Sequence, residues 1–436
     1  MTILAYEDYR DGERYHADVV VVGTGAGGGV VGTELAEAGR DVLFVEEGGY
    51  HPTTSFNPYL TESIPRLYRD AGGTIILGRP PIPYAEGRCV GGGTVVNGGM
   101  TWRPPEAVLH EWEQMTGDPD LGPGAMDHLF DRVESRIHAK PQRAESIGED
   151  SRLLEAGARK LGWRYDHNLR AQDLCAGSNQ CLTGCPTGAK QSTLVSYIPH
   201  AFRHGARCLT EVRVDRLWIE GGRCIGVIGK AIHPRTRQED IEIRVLAKAV
   251  VIACGAIQPP FRLLRHNLGR PSRQLGKNFL CHPNTKVVAL YPHDVQAWKG
   301  VSQAGQIREF RDEGIIMAEN AVPPGTAAAQ IPFLGQEAFD LMRRYNAMAM
   351  TGVLVEDSHA GTVSRSLGAP LARYSITRYD HERFLRGVRH LATLHFEMGA
   401  DEVILPFSNF HLAKSVDDLK RIESSQRSRS TIELFT

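Results

Sequence analysis

Apolar and glycine positions near the amino terminus follow the order strand, turn, helix, strand. Residues 17–22 form an apolar run, residues 23–29 are rich in glycine, a helix of small residues ends near Gly39, and residues 42–45 form a second apolar run. Short apolar runs bounded by glycine are typical of buried parallel strands. The pattern therefore predicts a βαβ unit at the start of the chain.

The next part of the chain changes from a loop-like to a helical pattern. Glycine and proline are frequent over residues 71–105, which predicts a structured loop without regular elements. Charged residues with helical periodicity follow over 106–170, for instance at 126–133 and 151–160. We expect a group of helices there.

Strand patterns dominate the second half of the chain. They occur at 207–228, 241–253, 285–290, 347–355, 361–365 and 371–377. The last four runs are separated by loops and predict an antiparallel sheet. Apolar residues at helical spacing over 381–398 predict a final helix before Gly399. The predicted fold class is α/β, with a Rossmann-like domain and a second domain built on a mostly antiparallel sheet.

Charge and hydropathy limit the classes of molecule that the chain is expected to bind. The 436 residues include 50 Lys and Arg against 51 Asp and Glu, so the net charge of -1 gives no reason to expect nucleic acid or an acidic membrane surface. No apolar stretch reaches the ~20 residues of a membrane-spanning helix, and the first apolar run is too short for the core of a signal peptide. Eight cysteines in a chain of this length do not resemble a disulfide scaffold. We expect a cytoplasmic protein that acts on a small molecule.

The first glycine cluster has the spacing of a dinucleotide-binding turn. Gly23, Gly25 and Gly28 lie between the first strand and the helix, and Glu46 ends the second strand. In such turns the glycines allow backbone to approach a pyrophosphate at the start of a helix, and the acid accepts hydrogen bonds from a ribose. An acidic residue disfavours the 2′-phosphate of NADP. This turn alone leaves FAD and NAD as alternatives.

A second glycine-rich segment spans residues 87–103. Its informative positions are Gly87, Arg88, Val90, Gly91, Gly92, Gly93, Thr94, Asn97 and Arg103. In this order and spacing they resemble the first signature of the glucose-methanol-choline oxidoreductases. Residues 250–258 are similar to the second signature of that family, residues 274–283 to the stretch that follows it, and residues 184–193 to a loop of its sterol and long-chain alcohol branch.

The resemblance implies a cofactor, a reaction and a set of site residues. It implies FAD rather than NAD, and non-covalent binding, because residues 87–103 contain no histidine. It implies hydride transfer from the CH-OH group of an alcohol to flavin, with oxygen or an electron-acceptor partner reoxidising it. Residues 190–193 are expected near the mouth of the site, and the substrate is expected to be apolar. The cofactor-binding residues implied by the glycine turn and the resemblance together are Gly23, Gly25, Ala26, Gly28, Glu46, Arg88, Gly91, Gly92, Thr94, Asn97, Gly98, Met100, Val212, Cys254 and Gly255.

The same resemblance divides the chain. It implies a discontinuous FAD-binding domain of residues 1–110 and 190–283, a helical and loop insertion near the flavin at 111–189, and a substrate-binding domain at 284–436. In the family a histidine, paired with histidine or asparagine, takes the alcohol proton. We expect that segment to lie beyond Thr436, so the catalytic residue is unassigned.

Three histidines within the chain are alternatives for that role. His282 stands between cysteine and proline, His359 follows two acidic residues, and His395 lies on the last predicted helix. None matches the catalytic position of the family, and isolated histidines are more often structural. A second hypothesis is therefore a truncated, catalytically silent flavin-binding chain.

Cys175, Cys181 and Cys185 support a third hypothesis. Closely spaced thiolates with a proline after the last are typical of iron–sulfur ligands, and some relatives with a similar group carry electrons through a three-iron cluster. Alcohol-oxidising relatives keep a similar loop without a metal, and free buried cysteine is common. A fourth ligand for zinc is not evident. The predicted site contains no metal, with an iron–sulfur relay as the alternative.

Overall fold

The computed structural model describes residues 2–269 and 272–436 of the chain. The strands are β1 Ile3–Leu4, β2 Glu13–Val22, β3 Val42–Val45, β4 Thr74–Ile76, β5 Ile82–Tyr84, β6 Met100–Thr101, β7 Ala139–Pro141, β8 Tyr165–His167, β9 Leu169–Ala171, β10 Arg207–Leu209, β11 Val212–Glu220, β12 Arg223–Ala231, β13 Ile241–Ile252, β14 Lys277–Phe279, β15 Asn284–Leu290, β16 Gly305–Ile307, β17 Ile315–Glu319, β18 Met348–Val355, β19 Gly361–Ser366, β20 Ala369–Arg373, β21 Glu402–Ile404 and β22 Leu412–Ala413. The helices are α1 Ala26–Glu37, α2 Leu60–Leu67, α3 Gly93–Val96, α4 Glu106–Thr116, α5 Asp127–Arg136, α6 Glu149–Lys160, α7 Thr193–Ser196, α8 Ile198–Arg203, α9 Gln258–Arg265, α10 Pro324–Gln330, α11 Gly335–Met342, α12 Arg378–Glu397 and α13 Ile422–Ser425.

The first large sheet is parallel at its centre. Its seven strands lie in the order β1-β10-β3-β2-β13-β12-β11. The strands from β1 to β13 in that order are parallel, and β12 and β11 continue the sheet in antiparallel fashion. The valines of β2 pair with the apolar residues of β3, and α1 connects the two strands, so the predicted βαβ unit is present. Helix α1 approaches closely because Gly32 faces the ring of Phe44, where a Cβ would lie 2.3 Å from a ring carbon.

The second large sheet is antiparallel throughout, as the strand pattern predicts. Its order is β22-β21-β15-β18-β17-β16-β8. Helix α12 begins at a capping box formed by Thr377 and Asp380. It covers one face of the sheet with Phe384, Val388 and Leu391, which are fully buried. The α/β fold, with a Rossmann-like sheet and a mostly antiparallel second sheet, is therefore confirmed.

Several short elements differ from the sequence-based expectations. Residues 71–105 contain β4, β5, α3 and β6, so the prediction of a loop without regular elements is wrong there. These elements are two to four residues long, which is too short for a periodic pattern. Strand β8, from the segment expected to be an insertion, forms an edge of the second large sheet. Strands β19 and β20 form a separate sheet with β14. Among the described residues, no helix is long and apolar enough to cross a membrane.

Candidate flavin site

A cavity of about 310 Å³ lies at the carboxyl ends of the parallel strands. Its walls include the glycine turn after β2, Glu46 and Glu47 after β3, and residues 253–255 after β13. In open α/β sheets, ligands bind in the crevice outside the carboxyl ends of the strands. The cavity therefore has the position expected of a nucleotide site.

The glycine turn brings bare backbone to this cavity. Gly23 has a φ of +97°, and a Cβ on it would lie 2.6 Å from the carbonyl oxygen of Ala253. A Cβ on Gly28 would lie 2.0 Å from the carbonyl oxygen of Gly23, so this glycine serves the packing of helix against strand. Gly25 is the N-cap of α1 and makes no side-chain capping bond. The first N–H groups of α1 are thus available to an anion.

The second glycine-rich segment meets the first, backbone against backbone. Gly92 has a φ of +52°, and a Cβ on it would lie 2.9 Å from the Cα of Gly25. The backbone N–H of Gly91 donates to the hydroxyl of Thr24 at 2.9 Å. Gly92 and Gly93 also line the cavity. The two segments form a cradle that side chains would fill, and such a cradle fits the pyrophosphate of a dinucleotide.

Glu46 is held rigidly at the end of β3. One of its carboxylate oxygens accepts hydrogen bonds from the N–H of Thr24 at 3.0 Å and from the Thr24 hydroxyl at 2.7 Å. The other accepts from the N–H of Gly48 at 2.9 Å. Burial raises the pKa of Glu46, against the opposing effect of these bonds. The second oxygen keeps room for another donor, so the predicted bond to a ribose remains a prediction.

Charged groups that the sequence analysis missed line the same cavity. Arg69 donates to Glu47 at 2.9 Å and lies 3.1 Å from a carboxylate oxygen of Glu86. Arg262, on α9, is 9% exposed, and burial lowers the pKa of its guanidinium. No motif indicated Arg69 or Glu86, because they reach the cavity through the tertiary fold. Arg262 supplies positive charge beside the glycine cradle, whereas Arg69 is paired with Glu47 and Glu86.

Eight of the fifteen predicted cofactor-binding residues line the cavity, and seven do not. Those that line the cavity are Gly23, Gly25, Ala26, Glu46, Gly92, Val212, Cys254 and Gly255. The others, which are not among its lining residues, are Gly28, Arg88, Gly91, Thr94, Asn97, Gly98 and Met100. Arg88 lines a neighbouring cavity of about 500 Å³, together with Glu47. Thr94 donates to the carbonyl of Gly91 at 2.6 Å, which braces the turn.

Lys190 ties the second glycine segment to the cysteine loop. Its ammonium donates to the carbonyl oxygens of Val95 at 2.5 Å, Asn97 at 2.8 Å and Cys181 at 2.7 Å. Burial lowers the pKa of Lys190 to about 8. Thr193 donates to the carbonyl of Thr24 at 2.9 Å. Lys190 and Thr193 are therefore buried braces, and the position of residues 190–193 near the mouth of the site stays a prediction.

The three clustered cysteines line one small cavity of about 20 Å³. Arg170 lies 3.6 Å from the sulfur of Cys181. Burial raises the pKa of Cys185, but hydrogen bonds from Thr187 and from the backbone outweigh burial and lower it overall. All three cysteines are free, and the described part of the chain holds no group of three or more His, Cys, Asp or Glu residues placed to bind a metal ion. The arrangement gives the iron–sulfur hypothesis no support.

None of the three candidate histidines lines the cavity at the glycine cradle. His395 is fully buried between Tyr291 and Thr351, at 3.0 and 2.9 Å, and burial lowers its pKa to about 4. His282 is exposed, and its backbone N–H donates to Asp357. His359 lines a shallow surface cavity near β19. His395 has a structural role, and no catalytic histidine is assigned.

Comparisons with known proteins show which proteins the chain is similar to. The family described as "GMC oxidoreductase" matches residues 64–284. An uncharacterised GMC-type oxidoreductase of Mycobacterium tuberculosis (strain ATCC 25618 / H37Rv) is 35% identical over 416 residues, which cover 95% of this chain and 65% of that protein. A long-chain-alcohol oxidase of Arabidopsis thaliana is 25% identical over 419 residues, which cover 90% of this chain and 53% of the oxidase. The chain thus spans between half and two thirds of the length of these curated relatives.

Solved structures share the fold. Pyridoxine 4-oxidase from Mesorbium loti superposes with a TM-score of 0.69 at 16% identity, covering 96% of this chain and 87% of that one. Formate oxidase from Aspergillus oryzae RIB40, studied for its FAD modification, superposes with a TM-score of 0.67 at 15% identity over the same shares. At sequence identities of 15% and 16%, the similarity to these two structures shows a shared fold.

Proposed function

We propose a function for this chain, which belongs to the glucose-methanol-choline oxidoreductase family and whose cofactor is FAD. In this proposal the chain binds FAD non-covalently at the glycine cradle and oxidises the CH-OH group of an alcohol. The observation that carries the proposal is the meeting of two glycine segments with no side chain between them. A Cβ on Gly92 would lie 2.9 Å from the Cα of Gly25. Bound FAD supplies the hydride acceptor for alcohol oxidation.

The protein groups of the cavity have separate tasks in this proposal. The amino terminus of α1, with Arg262, holds the negative pyrophosphate. Glu46, fixed by Thr24 and Gly48, accepts a hydrogen bond from the ribose. The seven predicted residues that do not line this cavity remain part of the proposal as FAD-binding residues. The braces at Lys190 and Thr193 hold the two glycine segments in register.

The wider proposal follows the division of the chain. Residues 1–110 and 190–283 form the FAD-binding domain, residues 111–189 form an insertion near the flavin, and residues 284–436 bind the alcohol. Oxygen or an electron-acceptor partner takes the electrons. The long-chain-alcohol oxidases among the relatives support an apolar substrate. Eight free cysteines support a cytoplasmic location.

Anaerobic titration of the purified, FAD-loaded chain tests the proposal. A primary long-chain alcohol should bleach the flavin absorbance, whereas an alkane of the same length should leave it unchanged, because the alkane carries no CH-OH group. Retained FAD that no alcohol bleaches would identify the chain as a silent flavin-binding protein. A chain that fails to bind FAD would refute the proposal as a whole.

A further inference from the structure

A second cavity, of about 680 Å³, lies against the antiparallel sheet on the face opposite α12. Val288 and Ile404, a cross-strand pair of β15 and β21, line it. The alternate residues Val287 and Ala289 point to the other face and pack in the core beneath α12. The volume lies within the range of small-molecule sites, roughly 300 to 1,000 Å³. The cavity is therefore large enough for a ligand.

A buried lysine projects from the same face of β15. Lys286 is 7% exposed and lines the cavity two residues before Val288. Its ammonium contacts the side-chain oxygen of Gln330 and lies 5.1 Å from the ring centroid of Phe435. Burial lowers its pKa to about 7. A buried cation with an amide and an aromatic ring as its neighbours is costly to maintain unless an anion accompanies it.

No carboxylate pairs with Lys286 among the described residues. Among the described residues no ion pair includes Lys286, and burial is the only cause that lowers its pKa. Glu433 lines the cavity and is its other titratable side chain, and burial raises its pKa. The cavity thus offers one cation that lacks a protein counter-ion.

The chain connects this cavity with the cofactor cavity. Pro83 lines the larger cavity, and Ala85 and Glu86 line the one at the glycine cradle. Thr436 is hydrogen-bonded to this segment. Its N–H donates to the carbonyl of Pro83 at 3.0 Å, and its carbonyl accepts from the N–H of Ala85 at 2.9 Å. Only residue 84 separates the two walls along this segment of the chain. A molecule in the larger cavity is therefore close to the segment that borders the flavin.

We propose that the larger cavity binds an aliphatic molecule with a terminal carboxylate, which pairs with Lys286 while the alkyl chain lies along Val288 and Ile404. A single cation favours a monoanion such as a carboxylate over a phosphate dianion. This inference rests on the proposed function, in which the substrate becomes a hydroxy acid with the oxidised hydroxyl and the carboxylate at opposite ends of an alkyl chain.

Calorimetric binding to the FAD-loaded chain tests the inference without turnover. The probes are octanoate, octan-1-ol and octylamine, each at pH 6 and pH 8.5. At pH 6 octanoate should bind about tenfold or more tightly than octan-1-ol, as expected for a hydrogen bond to a charged group. The preference should fall toward pH 8.5, because free Lys286 then loses its proton while octanoate keeps its charge. Octylamine should bind most weakly.

Two variants locate the effect. Lys286→Met should abolish the preference for octanoate and keep binding of octan-1-ol. The matched control Glu433→Gln should keep the preference and its loss at high pH. If Lys286→Met fails to fold, the loss of the octanoate preference between pH 6 and pH 8.5 in the unmodified protein tests whether Lys286 binds the carboxylate.

Equal affinities for octanoate in the unmodified chain and Lys286→Met would overturn the inference, as would a pH dependence that disappears in Glu433→Gln. The proposed function has a separate readout. If alcohols bleach the flavin but octanoate shows no preference, the inference fails and the oxidoreductase proposal stands. If octanoate binds through Lys286 but neither alcohols nor 8-hydroxyoctanoate bleach the flavin, the anion site stands and the reaction is refuted.

Discussion

Replacing Lys190 with methionine should destabilise the FAD-binding part of the chain and weaken FAD binding. The ammonium of Lys190 is buried and donates to three carbonyl oxygens, two in the second glycine segment and one in the cysteine loop. Methionine has a similar length and donates none of these bonds. The carbonyls of Val95, Asn97 and Cys181 would lose their bonds to the ammonium.

The magnitude follows from two opposing effects. Hydrogen bonds to charged groups contribute about 1.5 to 3 kcal/mol each, so three of them favour the folded state by roughly 4 to 9 kcal/mol. Burial lowers the pKa of Lys190 from 10.5 to about 8, which corresponds to a cost of about 3 kcal/mol for the charged form at neutral pH. The difference is a net loss of about 1 to 6 kcal/mol for Lys190→Met.

Urea unfolding at neutral pH measures this loss directly. The matched control is Lys248→Met, because the side chain of Lys248 is 80% exposed and pairs with Asp18 at the surface. The control should change the free energy of unfolding by about 0.5 kcal/mol or less. Lys190→Met should also bind FAD more weakly, because the segment around Gly92 loses its brace. Equal stability and equal FAD affinity in the two variants would refute the bracing role of Lys190.

Two further predictions concern the second large sheet and its helix. Burial lowers the pKa of His395 to about 4, so the unfolded chain binds more protons than the folded chain between pH 6.5 and 4. Protonation of this residue should therefore lower the free energy of unfolding by up to about 3 kcal/mol as the pH falls through that window. In urea unfolding at several pH values within the window, His395→Gln should lose less stability than the unmodified chain, and an equal loss would contradict the structural role of His395. Asp380 pairs with Arg383 in a buried contact and caps α12, so Asp380→Ala should lower the free energy of unfolding by about 3 kcal/mol. The control Glu382→Ala removes an exposed pair with Arg378 and should cost about 0.5 kcal/mol or less; similar losses in both would argue against the buried pair.

Local patterns were sufficient to predict several of the longer regular elements. The apolar runs and glycine spacing predicted β2, α1 and β3, because each of these elements is specified by residues close together in the chain. The helical spacing over 381–398 predicted α12 within three residues at its start. Short elements could not be predicted in this way. Strands β4 and β5 have three residues each and pair with each other across residues 77–81, and runs this short are too brief for a recognisable period.

The candidate site shows the same division between local and tertiary information. The turn at Gly23, Gly25 and Glu46 has a spacing with a direct physical reason, and all three residues line the cavity. Arg69 and Glu86 line it as well, but they lie in segments without a recognisable motif. Lys286 is the clearest case, because a charged residue at a strand position suggests exposure. Only the packing of α10 and the 430–435 segment over β15 buries it.

The most direct test of the account is an FAD titration of the apo chain and of its Gly25→Ala variant. A Cβ on Gly25 would have one heavy atom within 4 Å, the Cα of Gly92 at 3.9 Å, so the variant should fold with an unchanged melting temperature. Its methyl group would occupy the cradle. We predict one FAD for each unmodified chain and binding about tenfold or more weaker in Gly25→Ala, through loss of close backbone approach to the pyrophosphate. Equal FAD affinity in the two proteins, or no FAD binding to either, would contradict the central claim that the glycine cradle is the flavin site.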